Sequence, residues 1–276
     1  MINRSVVVVF VTAVVAVFLV SNLGIATETD APTADASPAS QPAPQAETAP
    51  KSKIDPYVEK LLNRSCEDLT SSKAFTFHAE ITFDQVLPSN VKLQFAAAAD
   101  YAVQRPDQLA VDFHSDLGAK EIWYSGTNIT MFDPAHMVYA STTVPDSIDG
   151  MMERIEQIHN LSIPLADLAY SHPCQMFLKR VIFAAYVGVN DVAGEDCDHL
   201  AFAENNVDWQ IWLQRTGKHL PRKTVINYRN APGSPEYVAV LSGWKFPATI
   251  PATVFQADLP KDAKRIDIMK VKETKP

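Results

Sequence analysis

The 276-residue sequence has three cysteines and nine glycines. Three cysteines are too few to frame a small disulfide-stapled domain. The shortage of glycine goes with the absence of any GxGxxG or P-loop, the motifs that let a backbone cradle phosphate. There is no GxSxG and no HExxH, and the seven histidines include no metal-ligand pair at helical spacing. Motif-bearing hydrolases and nucleotide-using enzymes are therefore excluded, and the chain is expected not to be an enzyme. Basic clusters are also missing. At a formal charge of −8, neither nucleic acid nor an anionic membrane surface is an expected partner. No internal repeat is present.

What is present begins at the N-terminus. Arg4 supplies a positive start, and Val6 to Val20 is a run of aliphatic and small residues with Phe10 and Phe18, as in an export signal. Gly24-Ile25-Ala26 offers small residues for cleavage after Ala26. The alternative is an uncleaved anchor over residues 6–25, about long enough to span a bilayer. Residues 1–26 are thus a signal peptide or a membrane anchor. Residues 27–53 are rich in Ala, Pro, Ser and Thr and lack large apolar side chains, so they read as a disordered linker. The folded domain is expected over 54–276. An exported protein of this kind is expected in the periplasm or cell envelope, free or tethered to the inner membrane.

In the folded part, a period of two dominates. Phe75, Phe77, Ala79, Ile81 and Phe83 alternate with Thr76, His78, Glu80, Thr82 and Asp84, the signature of a strand with one wet and one apolar face. Strands are expected at 73–86, 91–103, 108–114, 120–124, 127–132 and 137–142, then at 181–189, 196–203, 208–215, 222–229 and 237–246, with a last one at 264–268. Turn residues such as Ser125-Gly126 and Asp133-Pro134 separate them. Asp55-Pro56 opens a helix running to about Thr70. Between 146 and 179 the period becomes three to four, giving two or three helices. The fold class is mainly β (α+β). About eleven antiparallel strands are too many for a flat layer, so an unclosed barrel is expected, with the helices plugging its concave face.

Three groups of residues invite a chemical reading. Asp191, Glu195, Asp196, Asp198 and His199 cluster but match no calcium or zinc spacing. On a strand, Cys197 and His199 share one face while Asp196 and Asp198 share the other, so no metal or other cofactor is expected. Cys197 with His199 lacks a third, orienting group for nucleophilic catalysis. Cys174 and Cys197 either form a disulfide or remain separate buried thiols alongside Cys66. The aromatics Phe75, Phe77, Phe83, Phe95, Tyr101, Phe113, Trp123 and Phe132 come from successive strands. They either line one apolar cavity or fill a core. Met151, Met152, Met176 and Phe177 on the plugging helices are candidate lid residues, because Met repacks readily.

Several stretches carry a family resemblance. They include Arg105-Pro106-Asp107-Gln108-Leu109, Phe132-Asp133-Pro134-Ala135, Ile163-Pro164-Leu165-Ala166-Asp167-Leu168 and Tyr186-Val187-Gly188. The most distinctive are Cys197-Asp198-His199-Leu200-Ala201-Phe202, Val207-Asp208-Trp209-Gln210-Ile211-Trp212 and Leu220-Pro221-Arg222-Lys223. Together they resemble the domain-of-unknown-function family 2092, described as predicted periplasmic proteins. The resemblance implies a fold similar to the lipoprotein carrier superfamily (LolA/LolB-like), an unclosed barrel whose cavity takes acyl chains. It implies an envelope location and a fold more than a function; with the one-sided apolar sheet, it leads to the expectation of a non-catalytic envelope protein with a lipid or lipoprotein partner. The alternatives are an interaction or sensor module contacting another envelope protein, and an enzyme without a recognisable motif. The long Ala/Pro linker departs from the carriers and argues against free shuttling.

Overall fold

The computed structural model describes residues 53–159 and 162–268. The expected signal, linker and C-terminal residues outside these ranges, including the membrane tether at 6–25, lie outside the described residues. No helix among the described residues is long and apolar enough to cross a membrane.

The described residues build one thirteen-stranded sheet. In chain order it holds β1 (Lys53–Ile54), α1 (Pro56–Thr70), β2 (Ala74–Val86), β3 (Lys92–Gln104), β4 (Gln108–Ser115), β5 (Gly118–Ser125), β6 (Asn128–Asp133) and β7 (Val138–Thr143). Then come α2 (Ile148–His159), a 3-10 turn at Ala166–Ala169, and α3 (Pro173–Leu178). Strands resume with β8 (Phe183–Val192), β9 (Glu195–Ala203), β10 (Asp208–Gln214), β11 (Pro221–Asn227) and β12 (Glu236–Lys245). A second 3-10 turn at Ala252–Phe255 and β13 (Lys264–Arg265) complete it. The spatial order is β1-β8-β9-β10-β11-β12-β2-β3-β4-β5-β6-β7-β13.

The eleven long strands, β2 to β12, pair antiparallel. The wholly antiparallel expectation needs correction at both edges: β1 pairs parallel with β8, and β13 pairs parallel with β7. The two edges do not pair with each other, so the barrel stays open. Each two-residue strand occupies part of an edge that would otherwise present unpaired backbone groups.

Register carries the apolar face across strands. Phe77 faces Tyr101 on β3, Tyr101 faces Val111 on β4, and Val111 faces Ile122 on β5. In the other direction Ile81 faces Ala239 on β12, and Ala239 faces Thr224 on β11. A bulge in β12, with Gly243 at φ 62°, interrupts the pairing after Ser242. It brings Trp244 back to the inner face, where its ring stacks on Phe77 at 4.6 Å. A side chain at Gly243 would have to adopt the left-handed conformation that favours glycine.

The helices close the concave side. Asp55 caps α1 by accepting from the Tyr57 N–H at 2.8 Å, and Pro56 occupies its first turn. Its stripe of Val58, Leu62, Cys66 and Leu69 is buried. Val58, Leu62 and Cys66 pack with Val181, Leu200, Phe202, Ile211 and Leu213. α2 buries Ile148, Met151, Met152 and Ile155 in the main core beneath β2–β6 and β12. Two tyrosines pin the plug to the sheet: the Tyr101 phenol donates to the Pro164 carbonyl and the Tyr124 phenol to the Pro145 carbonyl, each at 2.8 Å. On the outer face, the turn at Ala252–Phe255 packs on β4 and β5 and buries Phe255.

The disulfide joins Cys66 to Cys174. The Cys174–Cys197 pairing is therefore corrected. Cys66 lies on the buried stripe of α1 and Cys174 in the first turn of α3, both on the concave side. Cys197 faces outward from β9, with Val192, Trp212 and Val225, and is free. The sheet itself separates it from Cys174.

Candidate functional site

The inner cavity lies between α2, the 3-10 turn at Ala166–Ala169, α3 and the inner faces of β10–β12, and its volume is about 400 Å³. Its apolar wall includes Leu168, Phe177, Trp209, Ile211, Ile226 and Leu241, with Met152 and Met176 at the plug side. Trp209 is held rigidly. Its ring stacks on Phe202 at 3.8 Å, and its indole N–H donates to Glu204 Oε1 at 3.1 Å. Phe177 packs against the same indole at 6.0 Å. Met176, by contrast, is exposed.

Of the twelve expected cavity residues, Met152, Met176 and Phe177 line this space. Phe75, Phe77, Phe83, Tyr101, Phe113 and Met151 are buried in the main core, and Phe95 packs against it. Five rings fill one end of the half-barrel. Phe77 stacks on Tyr101 at 4.4 Å, Trp244 stacks on Phe77, and Phe75 and Phe246 pack beside them at 5.6 Å. Such pairs contribute roughly 0.5–1.5 kcal/mol each beyond their buried area. Two expected residues face the other way. Trp123 pairs with Ala110 on β4 and lines a groove on the outer face with His78 and Asp112, while its neighbour Tyr124 points inward. Phe132 pairs with Glu121 and Tyr139 and is buried on that outer side.

The residues that give the cavity its wall and polar character were largely outside the expected set. Asp167 and Glu156 line it, as do the phenols of Tyr170 and Tyr228. Burial, reinforced by Glu156, pushes the Asp167 carboxyl up to about 6. Asp167 is accessible to solvent although protein crowds it closely, as expected for a side chain reached through a cavity. Lys179 and Arg180 stand at the exposed rim, and Arg180 acts on Glu204. The one available signal was Asp167 as the sole acid in the apolar run Ile163 to Ala169.

The acidic cluster around β9 forms no chelate. Among the described residues, no group of three or more His, Cys, Asp or Glu is placed to hold a metal ion. Asp198 accepts from the Tyr186 phenol at 2.9 Å and pairs with Arg215. On the opposite face, the His199 ring bonds to Asn190 through Nδ1 and to Gln210 through Nε2, both at 2.8 Å, and stacks on Trp212 at 3.9 Å. Burial and the nearby Lys223 lower its pKa. Burial and Glu195 push the Cys197 thiol up to about 11, far from an activated thiolate.

Sheet, plug and cavity together define an unclosed antiparallel half-barrel whose helices leave one partly apolar space on the concave side. The chain belongs to the family described as "Predicted periplasmic protein (DUF2092)", whose model matches residues 58–269. No curated protein matches it. Similar solved structures include the Mycobacterium tuberculosis lipoprotein LppX, at 14% identity and TM-score 0.45, covering 71% of this chain and 100% of that one. LprF from Mycobacterium bovis is similar at 12% identity and TM-score 0.43, covering 71% and 97% of the two chains. The LolA superfamily protein NE2245 from Nitrosomonas europaea is similar at 11% identity and TM-score 0.37, covering 73% and 98%.

Proposed function

We propose that this protein is a non-catalytic, exported envelope protein that binds an apolar ligand, such as a lipid or a lipoprotein acyl chain, in the cavity between sheet and plug. The observation that carries this reading is the cavity of about 400 Å³ walled by Trp209, Phe177, Ile226 and Leu168. Ligand pockets of roughly 300–1,000 Å³ with mostly apolar walls and a few polar groups are the usual form of a small-molecule site. Covering this wall removes apolar surface from water, at about 25 cal/mol per Å². Met152 and Met176 can adjust to chains of different shape. The engaged His199 ring and the high pKa of Cys197 also support a non-catalytic role.

Titration with the neutral dye N-phenyl-1-naphthylamine tests this. Saturable fluorescence enhancement, displaced by a lipid and abolished in Ile226→Trp, is the expected result. A dye signal that Ile226→Trp leaves intact would place binding elsewhere, and no signal at all would count against the reading.

A second reading, an interaction module, is favoured by one feature. β1 covers only Phe183 and Ala184 of edge strand β8, while Val187 and Val189 beyond it are 54% and 43% exposed. A partner strand could add there. Comparing pull-downs from envelope fractions with the protein and its Val187→Lys variant tests this; equal recovery of partners by both would remove the edge from consideration.

A further inference from the structure

The cavity has a polar end that a plain hydrocarbon leaves unused. Asp167 and Glu156 reach it from the 3-10 turn and from α2. The Asp167 carboxylate accepts no hydrogen bond from any described residue, and Glu156 is the charged group that acts on it most. The phenols of Tyr170 and Tyr228 line the same space, and neither has a hydrogen-bond partner among the described residues. Lys179 and Arg180 are exposed at the rim, where water solvates them and Arg180 faces Glu204.

We propose that the cavity takes a single-chain amphiphile whose head group donates hydrogen bonds, an amine or a polyol, seated against Asp167 and Glu156. This rests on the reading of the cavity as an apolar-ligand site. Asp167 and Glu156 are both exposed to solvent at the cavity mouth, where like charges repel each other, and a third anion brought beside them would repel both. A protonated amine reverses that sign. A hydroxyl donor can take the place of water on the Asp167 carboxylate, which has no protein donor among the described residues, and charge-assisted hydrogen bonds of this kind are the stronger class. The volume of about 400 Å³ lies near the low end of the roughly 300–1,000 Å³ typical of ligand sites, which suits one chain better than several. The raised pKa of Asp167 agrees with a carboxylate crowded by protein and set beside Glu156 with no cation to offset it.

The test is competition against N-phenyl-1-naphthylamine at pH 7.5 by four ligands of equal chain length, each below its critical micelle concentration. They are dodecylamine, monolauroylglycerol, lauric acid and dodecyl phosphate. The amine and the glycerol ester are expected to displace the dye at least about tenfold more effectively than the two anions. Asp167→Asn is expected to cut the preference for the amine to under about threefold while the dye still binds. The double variant Lys179→Gln, Arg180→Gln, at exposed rim positions, is expected to keep the preference. Equal or better competition by laurate or dodecyl phosphate, lost in the double variant, would place an anionic head group at the rim and overturn this inference while leaving the apolar-ligand reading intact. An amine preference that survives Asp167→Asn would overturn it too. Failure of the dye itself to bind would sink the underlying reading instead.

Discussion

The Nε of Arg105 donates to the Ala169 carbonyl at 2.9 Å. The same guanidinium reaches the Leu168 carbonyl through Nη2, and the Leu69 and Ser72 carbonyls through Nη1. It also lies over the Phe75 ring at 5.0 Å. One side chain at the end of β3 thus ties the C-terminus of α1 to the 3-10 turn that carries Asp167. Burial lowers its pKa to about 10, so it remains charged at neutral pH. Arg105→Ala leaves these carbonyls without their donor and is expected to cost about 2–4 kcal/mol, read from denaturant unfolding. Arg105→Lys keeps the charge but not the planar fork, and should recover less than half of that loss.

The Cys66–Cys174 bridge spans 108 residues. Peptide mapping under non-reducing conditions should find this cross-link and alkylate Cys197 only after unfolding, because Cys197 is buried. Cys66→Ser is expected to destabilise by about 2–5 kcal/mol. A map showing Cys174 bound to Cys197 would contradict the placement of Cys197 on the outer face of β9.

The Tyr237 hydroxyl is buried without a hydrogen-bond partner. An unsatisfied buried polar group costs roughly 1–3 kcal/mol, whereas its removal at constant shape does not. Tyr237→Phe is therefore expected to be neutral or to stabilise by up to about 1 kcal/mol, unlike most core substitutions. A clear loss of stability would mean that the hydroxyl is satisfied in solution.

Asp167 gives the ligand-free protein a specific pH response. Its folded pKa of about 6 lies above the ordinary 3.8. The folded state holds the proton more tightly than the unfolded one, so this group weakens the fold as pH rises from near 4 to above 6. The groups around it are Glu156 on α2, Tyr170, and Tyr101, Tyr228 and Tyr237 on the sheet; the phenols do not titrate in that window. Asp68 and Asp133 act oppositely. Burial raises each, but hydrogen bonds from His219, and from Lys120 and His136, outweigh it and hold them low. Their stabilisation is lost only as pH falls below 3.8. Melting curves between pH 4 and 7.5 should therefore show Asp167→Asn gaining on the parent as pH rises. Solvent in the cavity screens the charge, so the gain is expected to be small, about 1–3 °C. The same difference at both ends of the range would refute the assignment.

The strands were legible because a period of two runs through most of each long strand, broken at bulges such as that in β12. Phe75 to Phe83 point inward as their spacing requires, and Trp209 and Trp212 fall on opposite faces. Legibility failed where two aromatic or apolar residues stand side by side. In Trp123-Tyr124 and Met131-Phe132 local alternation permits either phase, and only pairing with β4 and β5 decides that Tyr124 and Met131 face inward. The Cys66–Cys174 bridge was invisible for a related reason. It depends on α1 and α3 meeting across the concave side, a contact between distant segments.

The alternation written into the chain by itself determined the strand layer, its apolar face and the need for helices to cover it, because side chains on a strand have no choice but to alternate. The tertiary structure alone decided how much of that face the plug covers. Close packing of Phe75, Phe77, Tyr101, Trp244 and Phe246 fills one end, while the seating of α2 and α3 leaves open the space beside Trp209 and Asp167. Volumes that add up to a core or to a cavity are sums over distant segments, and no local pattern records them.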